Sequence, residues 1–297
     1  MAPPNTEKLP VNVISLFGAR PNMEEDEVAV GIGAEQTVGR TAPEVVNSRL
    51  DLTGKPKVWF IIGRGKTGKT TLLRFAAEEA AAAERRVLLV DLDRANATLA
   101  SYFQGVQRPP AGDEAGVMAW LEKLLTFIMT EQAAAMIDLG GGDTTLRRLV
   151  AEVPDLVTTL EAAGVAAVAI YMLGPQPDDL APLATLEAAG FQPAATLLVL
   201  NEGLIETPVS REEAFARVLR HSAFKAAAGR GAAVVWMPRL LPAGEIEARR
   251  VLFGQAERGA VREGRKQTPL GPFDQARVRA WLRATRAEFA GVGSWMP

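Results

Sequence analysis

Six short apolar runs punctuate the chain from residue 57 onward: VWFII (58–62), VLLVDL (87–92), AAAMIDL (133–139), VAAVAIYML (165–173), TLLVL (196–200) and AAVVWM (232–237). A strand with one wet face alternates apolar and polar residues; a strand buried on both faces reads as a continuous apolar run. Between the runs lie alanine- and charge-rich stretches such as TTLLRFAAEEAAAAERR and DDLAPLATLEAAG, long enough to form helices. Buried strands alternating with helices imply a mostly parallel central sheet covered by helices on both faces, a three-layer α/β fold. Pro175 and Pro177 are expected to open one helix, with Asp178 and Asp179 at its positive end. Gly190 and Gly229 are expected as helix C-caps.

Composition excludes several chemistries. The 297 residues contain no cysteine, so there are no disulfides, thiolate metal sites or cysteine nucleophiles, which fits a reducing cytoplasm. His221 is the single histidine, so a multi-histidine metal site is ruled out. No apolar run approaches the roughly 20 residues that span a bilayer. Residues 1–55 differ from the rest, with five prolines, the acidic run Glu24–Glu27 and one apolar patch, Val11–Phe17. They read as a mostly disordered tail preceding a domain over 56–297.

Gly63-Arg64-Gly65-Lys66-Thr67-Gly68-Lys69-Thr70 satisfies G-x-x-x-x-G-K-[ST], between a buried strand and a helix. Glycines allow the backbone to wrap phosphates with its N–H groups inward, and the helix N-terminus adds positive potential. Residues Gly63 to Thr71 are therefore candidate nucleotide contacts. Lys69 would reach the β- and γ-phosphates and Thr70 would ligate Mg²⁺. The second run ends in Asp91 and Asp93, and the third in Asp138 followed by Gly140-Gly141-Gly142. Carboxylates at strand C-termini lie where open α/β sheets bind ligands. Asp91 and Asp138 are candidate metal ligands, and Asp93 a candidate for orienting the attacking water. The glycine turn suits a loop that closes on a γ-phosphate, and Asp143 suits an N-cap for the helix after it.

These motifs resemble the ParA/MinD family of deviant Walker ATPases, which reads G-K-G-G-x-G-K-[ST] at the loop and D-x-D with a nearby Asn at the second strand. Asp91, Asp93 and Asn96 match the second motif, and NATLASY is similar to relatives from plasmid stability and conjugative transfer. The resemblance spans roughly residues 57–260. It implies a P-loop NTPase fold, ATP and Mg²⁺ as cofactors, and an ATP-dependent homodimer. By resemblance, Asn201 would bond the adenine, and Met237 and Pro238, within WMPRL, would lie beside it. A turn role for Asn201 before Gly203 is the alternative. The family lysine thought to reach the partner's nucleotide is replaced by Arg64, and a family glycine by Lys66. Arginine keeps the charge and adds a fork suited to phosphate oxygens, so Arg64 is the candidate cation acting in trans. Arg94 stands where a proline is common, which weakens a direct transfer of partition function.

From Arg211 to Pro297 the chain carries 16 Lys/Arg and 8 Asp/Glu. The last helix is expected to start at an Asp274 N-cap, with Val278, Trp281, Leu282 and Phe289 on one face and Thr285 interrupting it. Arg279, Arg283 and Arg286 form a second face, with Arg277 on the flank. A terminal helix packed on the domain with its arginines in solvent is the commoner explanation; as a functional reading, DNA phosphates or an anionic membrane would suit such cations, with DNA slightly preferred. Three readings follow: an ATPase switch serving plasmid partition, conjugative transfer or positioning of a cell-envelope machine; a nucleotide-stabilised partner-binding module; or a metabolic P-loop enzyme with a small carboxylate substrate.

Overall fold

The computed structural model describes residues 50–93, 98–110, 113–142, 144–206, 208–261 and 267–297. The strands β1 (Lys57–Ile62), β2 (Val87–Asp91), β3 (Ala134–Asp138), β4 (Ala166–Leu173), β5 (Ala195–Asn201) and β6 (Ala233–Met237) form one sheet in the order β2-β3-β1-β4-β5-β6. Every pairing is parallel, so each of the six apolar runs became a strand buried on both faces. The helices are α1 (Lys69–Ala82), α2 (Glu114–Glu131), α3 (Thr145–Glu152), α4 (Leu156–Ala162), α5 (Ala181–Ala188), α6 (Arg211–Ala214), α7 (Ala216–Arg220), α8 (Ser222–Gly229), α9 (Ala243–Arg249), α10 (Phe253–Ala256) and α11 (Pro272–Phe289). This is a three-layer P-loop NTPase fold.

The strand order decides which helix covers which face. Only the β1→β2 crossover moves toward the β2 edge; the four later crossovers all move the other way. Crossovers share one hand, so α1 falls on one face and α2 to α8 on the other. The buried side chains sort accordingly. Leu72, Leu73 and Phe75 of α1 pack with Trp59, Ile61, Val87 and Leu89. Leu121 and Ile128 of α2, Leu149 of α3, Leu183 of α5 and Phe224 of α8 pack with Phe60, Val90, Ile137 and Leu198.

One helix cannot cover six strands, and on the α1 face β4 to β6 present Val168, Ile170, Leu197, Val199 and Val235. The C-terminal segment supplies the missing cover through Phe253, Val278, Trp281, Leu282, Phe289 and Trp295. Three indole N–H groups are satisfied by backbone carbonyls in this layer. Trp281 Nε1 donates to the Pro238 carbonyl at 2.8 Å, Trp59 Nε1 to that of Trp295 at 2.7 Å, and Trp295 Nε1 to that of Leu50 at 2.9 Å.

Four expectations are corrected. Leu52 is buried in the core and its N–H donates to Ser294 Oγ at 3.3 Å, so residues 50–55 belong to the domain rather than the tail. The helix α11 begins at Pro272 with Gly271 as N-cap, because proline is pre-set for a first helical position; Asp274 lies in the first turn instead. Thr285 does not interrupt the apolar face. It is 0% exposed, its hydroxyl donating to the Trp281 carbonyl at 2.8 Å, which removes the cost of burying it. Gly190 follows α5 at φ 95° as expected, but Gly229 lies inside α8 and Gly231, at φ 101°, ends it.

If the C-terminal segment is core, Trp281→Ala should cost about 3–5 kcal/mol in urea unfolding. Arg283→Ala, on the exposed face of the same helix, should change stability by no more than about 0.5 kcal/mol.

Candidate nucleotide-binding site

The loop Gly63–Gly68 leaves the end of β1 and enters α1 at Lys69. Two of its glycines, Gly63 and Gly68, are fixed by close approach. A Cβ on Gly63 would lie 2.7 Å from Thr67 Oγ1 and 2.9 Å from the Met172 carbonyl oxygen; one on Gly68 would lie 2.5 Å from Asn201 Nδ2. Thr67 Oγ1 donates to the Arg64 carbonyl at 2.9 Å. The Lys69 ammonium, nearly buried, donates to the carbonyls of Gly63 at 2.9 Å and Arg64 at 3.0 Å. Burial pulls its pKa below the ordinary lysine value, opposed by Asp138 and Asp93. Those two carbonyls hold the lysine at the mouth of the loop, within reach of an incoming anion. Thr71 lies one residue beyond Thr70 in the first turn of α1.

The carboxylates come from neighbouring strand ends. Asp91 and Asp138 are register partners of β2 and β3, only 2% and 3% exposed, on the same sheet face as α1. Thr70 Oγ1 donates to Asp138 Oδ2 at 3.0 Å, and the Asp93 N–H donates to Asp91 Oδ1 at 3.0 Å. Asp91 Oδ2 and Asp138 Oδ1 are buried and accept no hydrogen bond. Burial raises Asp91 to about 6 and Asp138 to about 7. Two orphaned carboxylate oxygens beside a threonine hydroxyl at a helix start fit a divalent cation, which would supply the missing partners. The expected ligands Thr70, Asp91 and Asp138 therefore converge. Asp93 sits one step outward, half-buried, against the turn after β3: a Cβ on Gly140 would lie 3.4 Å from its Cα.

The glycine turn itself packs on the phosphate loop. A Cβ on Gly141 would fall 2.3 Å from the Gly65 nitrogen and 2.6 Å from its Cα. The two backbones meet there with no room for a side chain on Gly141. Behind the turn, Glu114 at the start of α2 accepts hydrogen bonds from Thr144 Oγ1 and from Arg148 Nη1. Thr144 is the N-cap of α3. Asp143 and Asn96 lie outside the described residues.

Arg64 does not point into the cradle. Its Nη1 lies 3.5 Å from Asp179 Oδ1 and 3.9 Å from Asp178 Oδ2, at the turn Pro177–Leu180 that leads into α5. Lys66 is exposed and adopts the left-handed backbone, φ 67°. Asn201 braces the loop: Nδ2 donates to the Thr67 carbonyl at 2.9 Å and Oδ1 accepts from the Gly203 N–H at 2.9 Å. The turn reading of Asn201 thus holds, and both ends of its amide are engaged within the chain. Met237 and Pro238 follow at the end of β6, Met237 within contact range of the Gly68 position.

The sequence reading missed Asp179 and the packing of Gly141 on Gly65. Asp179 was read only as a helix-start charge. It is nearly buried, accepts from the Gly174 N–H at 3.1 Å, and its pKa is raised by burial against the pull of Arg64. A cavity of about 440 Å³ opens beside these groups on the α2–α5 side, between Arg64, Leu139, Leu146, Arg147, Pro182 and Leu186. No local pattern announces it, because its walls come from three separate segments.

No family model and no curated protein matches this chain. Among solved structures, the MinD cell division protein of Aquifex aeolicus is similar at 14% identity with a TM-score of 0.43, covering 77% of this chain and 95% of that one. The fold assignment rests on the strand order and on the loop between β1 and α1. No helix among the described residues is long and apolar enough to cross a membrane.

The buried carboxylates should leave a pH signature. An aspartate titrates near 3.8 when unfolded, and Asp138 near 7 in the fold. Between those values the folded state holds the extra proton, so this group makes stability fall as pH rises from about 4 to about 7. Relative to the parent, Asp138→Asn should gain stability across that window in metal-free urea melts and match it near pH 4. A difference that does not change with pH would contradict the assignment.

Proposed function

We propose that this chain is a Mg²⁺- and ATP-dependent ATPase switch of the ParA/MinD type that pairs with a second copy when ATP is bound. The observation that carries this reading is the Thr70 hydroxyl on Asp138, placed at the end of a G-x-x-x-x-G-K-T loop beside two orphaned carboxylate oxygens. In this reading the N–H groups of the loop and of the first turn of α1 cradle the phosphates. Lys69 exchanges the Gly63 and Arg64 carbonyls for β- and γ-phosphate oxygens. Thr70 and Asp138, with Asp91 behind, hold the cation, which neutralises phosphate charge when bound. Asp93 orients the attacking water. The turn Gly140–Gly142, already against Gly65, reports whether a γ-phosphate is present. Asn201, Met237 and Pro238 line the base side, where Asn201 would exchange an internal partner for the adenine edge.

Arg64 is half-exposed and, among the described residues, its side chain is restrained by a loose pairing with Asp178 and Asp179, an interaction worth little at a surface. It is therefore free to reach a partner's nucleotide. The C-terminal cations support DNA contact less than their number suggests. Arg286 pairs with Glu79 through two nitrogens at 2.8–3.1 Å, Arg277 with Asp274 at 2.7 Å, and Arg279 donates to the Glu257 carbonyl at 2.8 Å. Non-specific DNA and anionic membrane remain the surfaces to compare, in the setting of plasmid partition, conjugative transfer or positioning. A second reading, a metabolic enzyme, is favoured by the 440 Å³ cavity beside the loop, whose rim carries Arg64 and Arg147 and so suits a small carboxylate.

Three variants test the switch. Lys69→Ala should abolish ATP turnover and weaken ATP binding. Arg64→Ala should bind ATP normally but lose ATP-dependent dimers in light scattering and at least about tenfold in turnover, as for a cation acting in trans. Lys66→Ala should stay within about twofold of the parent, since one exposed surface charge contributes little. A parent protein that stays monomeric with ATP, or turns over only with a small carboxylate present, would overturn the switch reading.

A further inference from the structure

After Asp93 the described chain resumes at Thr98 and returns to the sheet edge. The Asp91 N–H donates to the Gln107 carbonyl at 3.0 Å, and the Gln107 N–H to that of Leu89 at 2.8 Å. The returning limb, around Leu99 to Tyr102, rests on the helical layer of the α1 face. Arg74, one turn beyond Thr70 on α1, is only 6% exposed. Its guanidinium carbon lies 3.7 Å from the centroid of the Tyr102 ring and 4.4 Å from that of Phe253, and Nη2 donates to the Val251 carbonyl at 2.9 Å. One turn further along α1, Glu78 accepts the Phe253 and Gly254 N–H groups, both at 2.8 Å, at the start of α10. The junction between α9 and α10 is thereby tied to the phosphate-loop helix.

Arg250 makes the second tie. It ends α9 in the left-handed backbone, φ 54°, where glycine or asparagine is the favoured residue. Its Nη1 donates to Ser101 Oγ at 2.7 Å, and that hydroxyl donates to the Thr98 carbonyl at 2.7 Å. An arginine in a position that suits asparagine better, with its side chain crossing to the returning limb, indicates that the side chain has a task which the helix end alone does not require.

We propose that Arg250, with Arg74 beside it, is a positioning residue for Asp93: the two guanidinium groups fix the returning limb of the Asp93 loop against the C-terminal layer through Ser101 and Tyr102. Neither arginine belongs to the phosphate loop or to the carboxylate cluster. The proposal rests on the ATPase reading for its kinetic part only, because the packing of the limb is measurable without nucleotide. It also gives the C-terminal layer a path to the site, since whatever shifts the α9–α10 junction shifts the limb.

The decisive variant is Arg250→Asn in the full chain, because asparagine tolerates the left-handed backbone and cannot reach Ser101. Its melting temperature should equal or exceed that of the parent. Amide exchange across residues 98–103 should nevertheless speed up several-fold without nucleotide. ATP affinity should stay within about twofold while kcat falls about five- to twentyfold, in the range of coupling between residues in contact. Ser101→Ala should reproduce the effect, and the double variant should lose no more than either single one. Unchanged exchange in Arg250→Asn, additive losses in the double variant, or a kcat loss that tracks a lower melting temperature would overturn the proposal. If the parent hydrolyses no ATP, the ATPase reading fails and the exchange measurement alone decides whether Arg250 holds the limb.

Discussion

A parallel sheet must be covered on both faces, and here the order of strands makes the cover unequal. Four of five crossovers run in one direction and load one face with α2 to α8, leaving α1 alone on the other. Everything after β6 is shaped by that deficit. The apolar residues of β4 to β6 on the α1 side need a lid, and α10, α11 and the final residues through Trp295 provide it. The same lid reaches back to the start of the described chain, since Trp295 donates to Leu50 and Ser294 accepts from Leu52. Residues 50–52 and 294–295 are thus joined by one indole and one hydroxyl hydrogen bond.

The site occupies the opposite constraint. At the C-terminal ends of β2 and β3 the core runs out of apolar residues while the packing remains tight, so Asp91 and Asp138 are nearly as buried as their aliphatic neighbours. Burying a carboxylate is costly unless it is paired or neutralised. Here Thr70 satisfies one oxygen, the Asp93 backbone another, and two are left open. A site that is unsatisfied alone and complete with a cation gains stability from its ligand by mass action.

The six strands, the phosphate loop and the paired aspartates were legible because each is written in a contiguous segment: an apolar run, a glycine spacing, a carboxylate at a strand end. What was not legible depends on partners far along the chain. Nothing local shows that Arg74 will lie between Tyr102 and Phe253, or that Arg286 will meet Glu79, 207 residues away. Counting arginines on α11 suggested a free basic face; the fold had already engaged most of them. Thr285 misled for a related reason, because a hydroxyl that bonds the preceding turn is no longer polar to its surroundings. Residues 1–55 read as a tail because of their prolines, the acidic run Glu24–Glu27 and a single apolar patch, yet Leu52 needs only a pocket to be core.

The two unusual cations of the phosphate loop can be separated by what each position demands of the backbone. Gly141 must be glycine because a Cβ there would fall 2.3 Å from the Gly65 nitrogen, whereas a Cβ on Gly65 itself would meet nothing within 4 Å. Lys66 occupies a left-handed position that glycine would suit, but its side chain is exposed and meets no such approach. A non-glycine residue there costs about 1–2 kcal/mol of backbone strain. It is tolerated because both flanks are pinned, by Lys69 on the Gly63 carbonyl and by Asn201 on that of Thr67. The demand on Gly141 is therefore steric, while that on residue 66 is energetic and can be overcome. Arg64 differs from both: its backbone carbonyl serves Thr67 and Lys69, while its side chain lies outside the cradle against Asp179, where it can leave without disturbing the loop.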